Sequence, residues 1–257
     1  MKLSVVMPAR NEEGCIATTL SHFAGALKDA AVPFEIVVVD DGSTDATADI
    51  VQSLAKFHPE IRLVRNTGRH GFGMAVRAGI DAMTGDAVAV VMADASDSPS
   101  DLLQYYRKLL EGFDCVFGSR FIAGGAVVDY PPHKLMINRM ANWFIKVLFR
   151  LPYNDVTNAF KCYRREVVRG MGPLISPHFN LTVEMPLKAI IRGYSFAIVP
   201  ITWTNRQTGV SKLKLKEMGS RYLFIVLYLW LEKHLSRGDY RRAPEPAANP
   251  GVRPTHA

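Results

Sequence analysis

The chain has 257 residues, 48% hydrophobic and 10% aromatic, which is enough apolar material for a sizeable core and excludes wholesale disorder. A formal net charge of +7 points to phosphate-bearing partners (nucleotide, nucleic acid or anionic lipid) unless the charge serves solubility alone. Three scattered cysteines, Cys15, Cys115 and Cys162, form neither a disulfide framework nor a CxxC zinc pattern and fit a reducing compartment.

The N-terminal MKLSVVMPARNEE has an apolar stretch too short for a signal peptide and no small-residue cleavage site. Beyond it, apolar strand-like runs alternate with segments of helical period. Strands are expected at LSVVMP (3–8), EIVVVDD (35–41), IRLVRN (61–66), AVAVVMAD (87–94) and CVFGSR (115–120). Helices are expected near 12–29, 44–58, 73–84 and 100–111; glycines precede the third, and capping residues precede the second and fourth. Near-continuous Val/Ile runs imply strands buried on both faces, hence an α/β fold with a mostly parallel sheet flanked by helices. Ligands of such sheets bind beyond the carboxyl ends of the strands, which selects Pro8–Glu12, Asp40–Asp41 and Asp94–Asp97.

After Arg120 the pattern changes. IAGGAVVDYPP (122–132) reads as a mobile loop. HKLMINRMANWFIKVLFRL (133–151) reads as an amphipathic helix carrying Lys134, Arg139, Lys146 and Arg150 and no acid. A helix at 179–192 and a strand at 195–202 lead to the polar loop TNRQTGVSKLKLK and a second basic-apolar segment, KLKLKEMGSRYLFIVLYLWLEKHL. Its longest apolar run, 222–231, is half the roughly 20 residues a membrane-spanning helix needs. The last 17 residues, RRAPEPAANPGVRPTHA, hold four prolines and little able to pack. The expected division is a catalytic domain over 1–215, an amphipathic helix over 216–238 and a disordered tail over 239–257.

Asp40 and Asp41 close a buried strand ahead of a Gly-Ser-Thr-Asp turn. Such acids either cap the next helix or accept hydrogen bonds from a ribose or base. Asp94 repeats the arrangement on another strand, and Asp97 follows one turn later. Hard oxygen ligands of this kind suit Mg2+ or Mn2+ bridging the phosphates of a nucleotide, although Ser96, Asp97 and Ser98 are also placed to cap a helix starting at Pro99. GRHGFGMAVRAG (68–79) resembles half a dinucleotide fingerprint, but Val76 replaces the third glycine and the segment follows the third strand. Close packing of a helix start against the sheet is the expectation there. Arg120 at a strand end, Arg139, and Arg206 with Lys212 in a Gly/Ser-containing loop are the cations positioned to meet phosphate.

Together these motifs resemble family 2 glycosyltransferases of the GT-A (Rossmann-like) fold, most closely the dolichyl/polyprenyl-phosphate mannose synthase type. The resemblance runs from Ser4 to about Leu215. It is carried by PARNEE (8–13), VVVDDGSTDAT (37–47), GFGMAVRAG (71–79), MADASDSP (92–99), GSRF (118–121), DVTNAF (155–160) and RQTGVSKLK (206–214), in that order. It implies that Pro8, Arg10, Glu12, Val39 and Asp41 line a nucleoside pocket and that Asp94 and Asp97 hold the divalent cation. Arg120, Arg206 and Lys212 would face donor or acceptor phosphates, and Arg139 would lie on a helix meeting a lipid acceptor. Several positions depart from the family pattern. Arg10 replaces a tyrosine, and Asn158 and Ala159 replace a hydroxyl residue and a glycine. Aligned through Pro99, D-A-D-x-Q becomes Ala93-Asp94-Ala95-Ser96-Asp97. A one-residue shift on a strand reverses side-chain direction, so Asp94 can serve only where the strand end is bulged or already turning.

The activity implied is inverting transfer of a hexose, mannose from GDP-mannose being one candidate, from a nucleotide sugar to a polyprenyl phosphate. A phosphate acceptor is already anionic and needs little general-base help; Glu184 is the base candidate for a hydroxyl acceptor. The basic amphipathic segments, with Trp143 and Trp230, suit peripheral binding at the cytoplasmic face of a membrane, directly or through a separate membrane subunit, and no nucleic-acid partner is implied. Two alternatives stay open: transfer to a soluble or lipid-hydroxyl acceptor, and a non-catalytic nucleotide-binding protein with a decayed metal site.

Overall fold

The computed structural model describes residues 1–205 and 215–242. In chain order the elements are β1 (Leu3–Ala9), α1 (Ile16–Asp29), β2 (Phe34–Asp40), α2 (Thr47–Ala55), β3 (Ile61–Arg65) and α3 (Phe72–Ala82). Next come β4 (Ala87–Val90), α4 (Pro99–Leu110), β5 (Cys115–Ser119), β6 (Ala126–Val128), α5 (Pro132–Phe149) and β7 (Lys161–Arg164). The last are α6 (Arg165–Gly170), α7 (Leu181–Ile191), β8 (Phe196–Pro200), β9 (Thr202–Thr204) and α8 (Leu215–Leu235). Seven strands form one sheet in the order β3-β2-β1-β4-β7-β5-β8, and β7 alone runs antiparallel to its neighbours. The α/β expectation therefore holds, with a single reversed strand inside the sheet.

Alternation along each strand divides the core between the two faces. Leu3, Val5, Met7, Ile36 and Val38 pack with Leu20 and Phe23 of α1, Val51 of α2 and Tyr105 of α4. Val6, Val37, Val39, Val88 and Phe117 pack on the other side with α3, α5, α6, α7 and α8. Near-complete burial on both faces is what the unbroken Val/Ile runs demanded.

Four elements were not expected. β7 is only four residues, KCYR, and has too little apolar length to show as a strand; burial comes from its place between β4 and β5. α6 follows it directly and is a single short turn-and-a-half over Arg165–Gly170. The segment expected as a mobile loop contains β6, which pairs in parallel with β9 from Ala126↔Thr202 to Val128↔Thr204. Three-residue strands of this kind exist only through a partner distant in sequence.

The C-terminal division also differs from expectation. Ile225, Val226 and Leu229 of α8 pack into the core on the sheet face that also carries α3, α5, α6 and α7. Residues 239–242, expected in the tail, fold back: the Arg242 amide donates to the Arg192 carbonyl at 2.8 Å, and its guanidinium lies 2.9 Å from Asp114. The expected disordered tail otherwise lies outside the described residues.

Candidate active site

β1 is flanked by β2 and β4, so the chain's winding reverses between β1 and β4 and opens a crevice at their carboxyl ends. The loop leaving β1 is fastened to the loop leaving β2. Asn11, at φ +51°, accepts from the Thr44 amide at 2.8 Å, and the Glu12 amide donates to Thr47 Oγ1 at 2.8 Å. This sets Glu12, largely buried, beside exposed Arg10 on the rim of the crevice.

The Asp40–Asp41 pair resolves into two roles. Asp40 Oδ1 accepts from the Ser43 amide at 3.0 Å, closing the turn ahead of α2. Asp41 lines the cavity, and its carboxylate is held by the Gly71 amide at 2.8 Å, Asn66 Nδ2 at 2.7 Å and His70 Nδ1 at 3.2 Å. Turn-closing and cavity-lining positions thus fall to neighbouring residues. GFGMAVRAG serves packing: a Cβ on Gly71, at φ +145°, would stand 2.5 Å from the Pro177 carbonyl, and one on Gly79 would collide with Val6 of the sheet.

β4 stops at Val90, and the chain is turning by Asp94, with Ala95 left-handed at φ +59°. This early exit removes the direction problem of an extended strand. Asp94 and Asp97 both line the same cavity and are both buried. Asp94 Oδ1 accepts from the Ser96 amide at 3.2 Å, and Asp97 Oδ2 from the Met92 amide at 2.9 Å. Burial pushes the Asp97 carboxyl up to about 7; the charges of Asp94 and Asp101 add to this, while the Met92 N–H and the Arg120 charge oppose it. Two buried carboxylates that repel one another, with the Ser96 hydroxyl of the same turn unpartnered among the described residues, fit a hard divalent cation. Among the described residues no larger cluster of His, Cys, Asp or Glu offers an alternative metal site.

Arg120 also lines the cavity, but it is not a bare cation. Its guanidinium makes a two-pronged bond to Asp155, Nε to Oδ2 at 2.8 Å and Nη2 to Oδ1 at 2.7 Å, with both groups buried. The DVTNAF segment therefore acts first as a mount. Thr157 Oγ1 accepts from Asn138 and Asn142 of α5 at 3.0 and 2.8 Å. Lys161, a buried lysine not singled out from sequence, reaches beneath to the carbonyls of Val156 at 3.0 Å, Thr182 at 3.3 Å and Asn158. Burial pushes its ammonium down to about 7. A lysine inside a four-residue strand, KCYR, carries no sequence signal for such a role.

Of the other expected site residues, Pro8 lines the cavity. Val39 does not: it is fully buried and packs into the core beside α3, because its strand is covered on that face. Arg139 is exposed outside the cavity, stacked 4.6 Å from the Phe121 ring centroid. Glu184 is wholly buried away from the cavity; it accepts from the Ile175 and Ser176 amides and pairs with Lys188 at 2.7 Å. These contacts make it a structural acid rather than a base. Arg206 and Lys212 lie outside the described residues. His70, Ser96 and Lys134 line the cavity without having been proposed as site residues; for His70 the available signal was its place just past a strand end.

The cavity holds about 760 Å3 and runs from these strand-end acids to a flank formed by Ile137, Ala141 and Phe144 of α5 and Tyr222, Leu223 and Val226 of α8. The model of the family described as "Glycosyl transferase family 2" matches residues 4–172, which contain every acid of the crevice described above. The chain belongs to glycosyl transferase family 2. Within that family it is 33% identical over 215 residues to a polyprenol monophosphomannose synthase of Mycolicibacterium smegmatis, covering 81% of this chain and 80% of the relative. It is 30% identical over 221 residues to an undecaprenyl-phosphate mannosyltransferase of Micrococcus luteus, covering 83% and 88%. In fold it is similar to glucosyl-3-phosphoglycerate synthase from Mycobacterium tuberculosis, solved in complex with Mn2+, uridine-diphosphate-glucose and phosphoglyceric acid. That match has a TM-score of 0.70 at 20% identity and covers 89% of this glycosyltransferase and 79% of the other chain.

Proposed function

We propose that this glycosyltransferase is an inverting enzyme that moves a hexose, mannose by analogy with the two relatives, from a nucleotide sugar to a polyprenyl phosphate. The observation that carries the reading is the single cavity joining buried strand-end acids to the apolar flank of α5 and α8. Asp41, with Pro8, Arg10 and Glu12, binds the nucleoside, and Val39 supports that pocket from the core. Asp94 and Asp97 would hold Mg2+ or Mn2+, which would supply charge neutralisation for a diphosphate leaving group. Arg120, oriented by Asp155, presents fixed positive charge to a phosphate, and Arg206 and Lys212 are assigned the same task. An acceptor phosphate is anionic without deprotonation, so in-line placement of the two phosphates is the main catalytic demand. That matches a site in which Glu184 is engaged elsewhere.

The acceptor's lipid enters from the α5/α8 side, where Arg139 lies, and the protein binds the cytoplasmic face of a membrane there, directly or through a membrane subunit. Among the described residues no helix is long and apolar enough to cross a bilayer. Purified protein should transfer label from GDP-mannose to polyprenyl phosphate in the presence of Mn2+, giving an organic-extractable, mild-acid-labile product. UDP-glucose serves as the competing donor. Label recovered only in a water-soluble product would overturn the acceptor assignment, and no transfer from any donor would overturn catalysis.

A further inference from the structure

We infer that the Ser96 hydroxyl is a third protein ligand of the divalent cation assigned to Asp94 and Asp97, the residues that flank it in the same turn. Ser96 is 3% exposed and lines the cavity, yet its Oγ has no hydrogen-bond partner among the described residues. Of the orphaned buried side-chain atoms described, it is the one whose residue lines the cavity. An unmade bond at a buried hydroxyl is costly, so such groups mark either strain or a missing partner.

The backbone that carries the hydroxyl is fastened on both sides before any ligand arrives. The Ser96 amide donates to Asp94 Oδ1 at 3.2 Å, and its carbonyl accepts from the Thr204 amide at 3.2 Å. Left-handed Ala95 turns the chain between Asp94 and Ser96. On the far side Asp97 is tied to the Met92 amide at 2.9 Å. Two carboxylates balance a dication's charge, and a third in so buried a place would add uncompensated repulsion. A hydroxyl adds a hard oxygen donor without charge and leaves coordination positions for diphosphate oxygens.

This inference rests on the metal reading above, and one experiment separates the two. Mn2+ binding to the full chain is measured by the loss of the free-ion EPR signal, alone and with GDP or UDP. The melting temperature is measured in metal-free buffer. Ser96→Ala should weaken Mn2+ binding roughly tenfold relative to wild type while leaving the metal-free melting temperature unchanged or higher, since it deletes an unsatisfied group. Unchanged Mn2+ affinity in Ser96→Ala overturns the ligand role. A lowered metal-free melting temperature also overturns it, because the hydroxyl would then have a protein partner. A wild type that binds no Mn2+ under any of these conditions overturns the metal reading itself.

Discussion

At the scale of single residues, the partners of buried acids separate structural acids from those of the cavity. Glu184 illustrates the first kind, with two backbone donors and Lys188 satisfying it inside the core. Glu184→Gln should cost roughly 3 kcal/mol in urea unfolding by leaving the Lys188 ammonium buried beside a neutral partner. The pH profile of kcat in the folded fraction should keep its shape; loss of one limb would restore Glu184 as a base. Glu35 gives a pH dependence. Burial would raise its carboxyl, but hydrogen bonds from Ser4 and Thr84 and the charge of Arg62 outweigh this and hold it at about 2, below its ordinary 4.5. A depressed folded pKa stabilises the protein above the unfolded value, and that contribution fades as pH falls from 4.5 towards 2. Unfolding free energies measured across that window should decline in wild type and decline less steeply in Glu35→Gln, which starts less stable at neutral pH.

At the scale of elements, the crevice depends on loops fastened to one another. The start of α3 seats against residues 176–178 with no space for a side chain at Gly71, and the same residue's amide holds Asp41. Gly71→Ala therefore strains a left-handed backbone and disturbs the Asp41 carboxylate proposed to bind the nucleoside. It should lose about 2 kcal/mol of stability and weaken nucleoside diphosphate binding in calorimetry. A variant that loses stability but binds with wild-type affinity would detach this glycine from the donor site. The strap of β6 and β9 acts similarly, since the Thr204 amide at its end holds the Ser96 carbonyl in the acidic turn.

At the scale of the whole molecule, α5 and α8 turn apolar side chains away from the core. Trp143 is 66% exposed, Met140 63% and Phe224 61%, with Leu227 and Leu231 beside Phe224 on α8. The expected amphipathic pattern is thus modified: over 222–231, α8 is apolar towards the core through Ile225, Val226 and Leu229 and apolar outward as well. A helix apolar on both sides needs a covering for its outer face. With Lys134, Arg139 and Lys146 on α5, the membrane contact proposed above would supply one as an anionic bilayer. Trp143→Ser and Phe224→Ser should each lower partitioning onto anionic vesicles by about tenfold, and added salt should lower it further. Wild-type partitioning in both variants would remove this face as the membrane contact.

The alternation of strand and helix, the parallel sheet and the strand ends that carry Glu12, Asp41, Asp94 and Asp97 could all be read along the chain. Those features follow from hydrophobic period and local turn chemistry, which depend on near neighbours. Side-chain direction and partnership depend on contacts between distant segments, so the tertiary structure alone decided them. It assigned capping to Asp40 and the cavity to Asp41. It ended β4 early enough for Asp94 to turn inward, joined Arg120 to Asp155 35 residues away, and buried Val39 beneath α3. β6, β7 and β9 belong to the same class, because strands of three or four residues gain their stability from the partner strand rather than from their own composition.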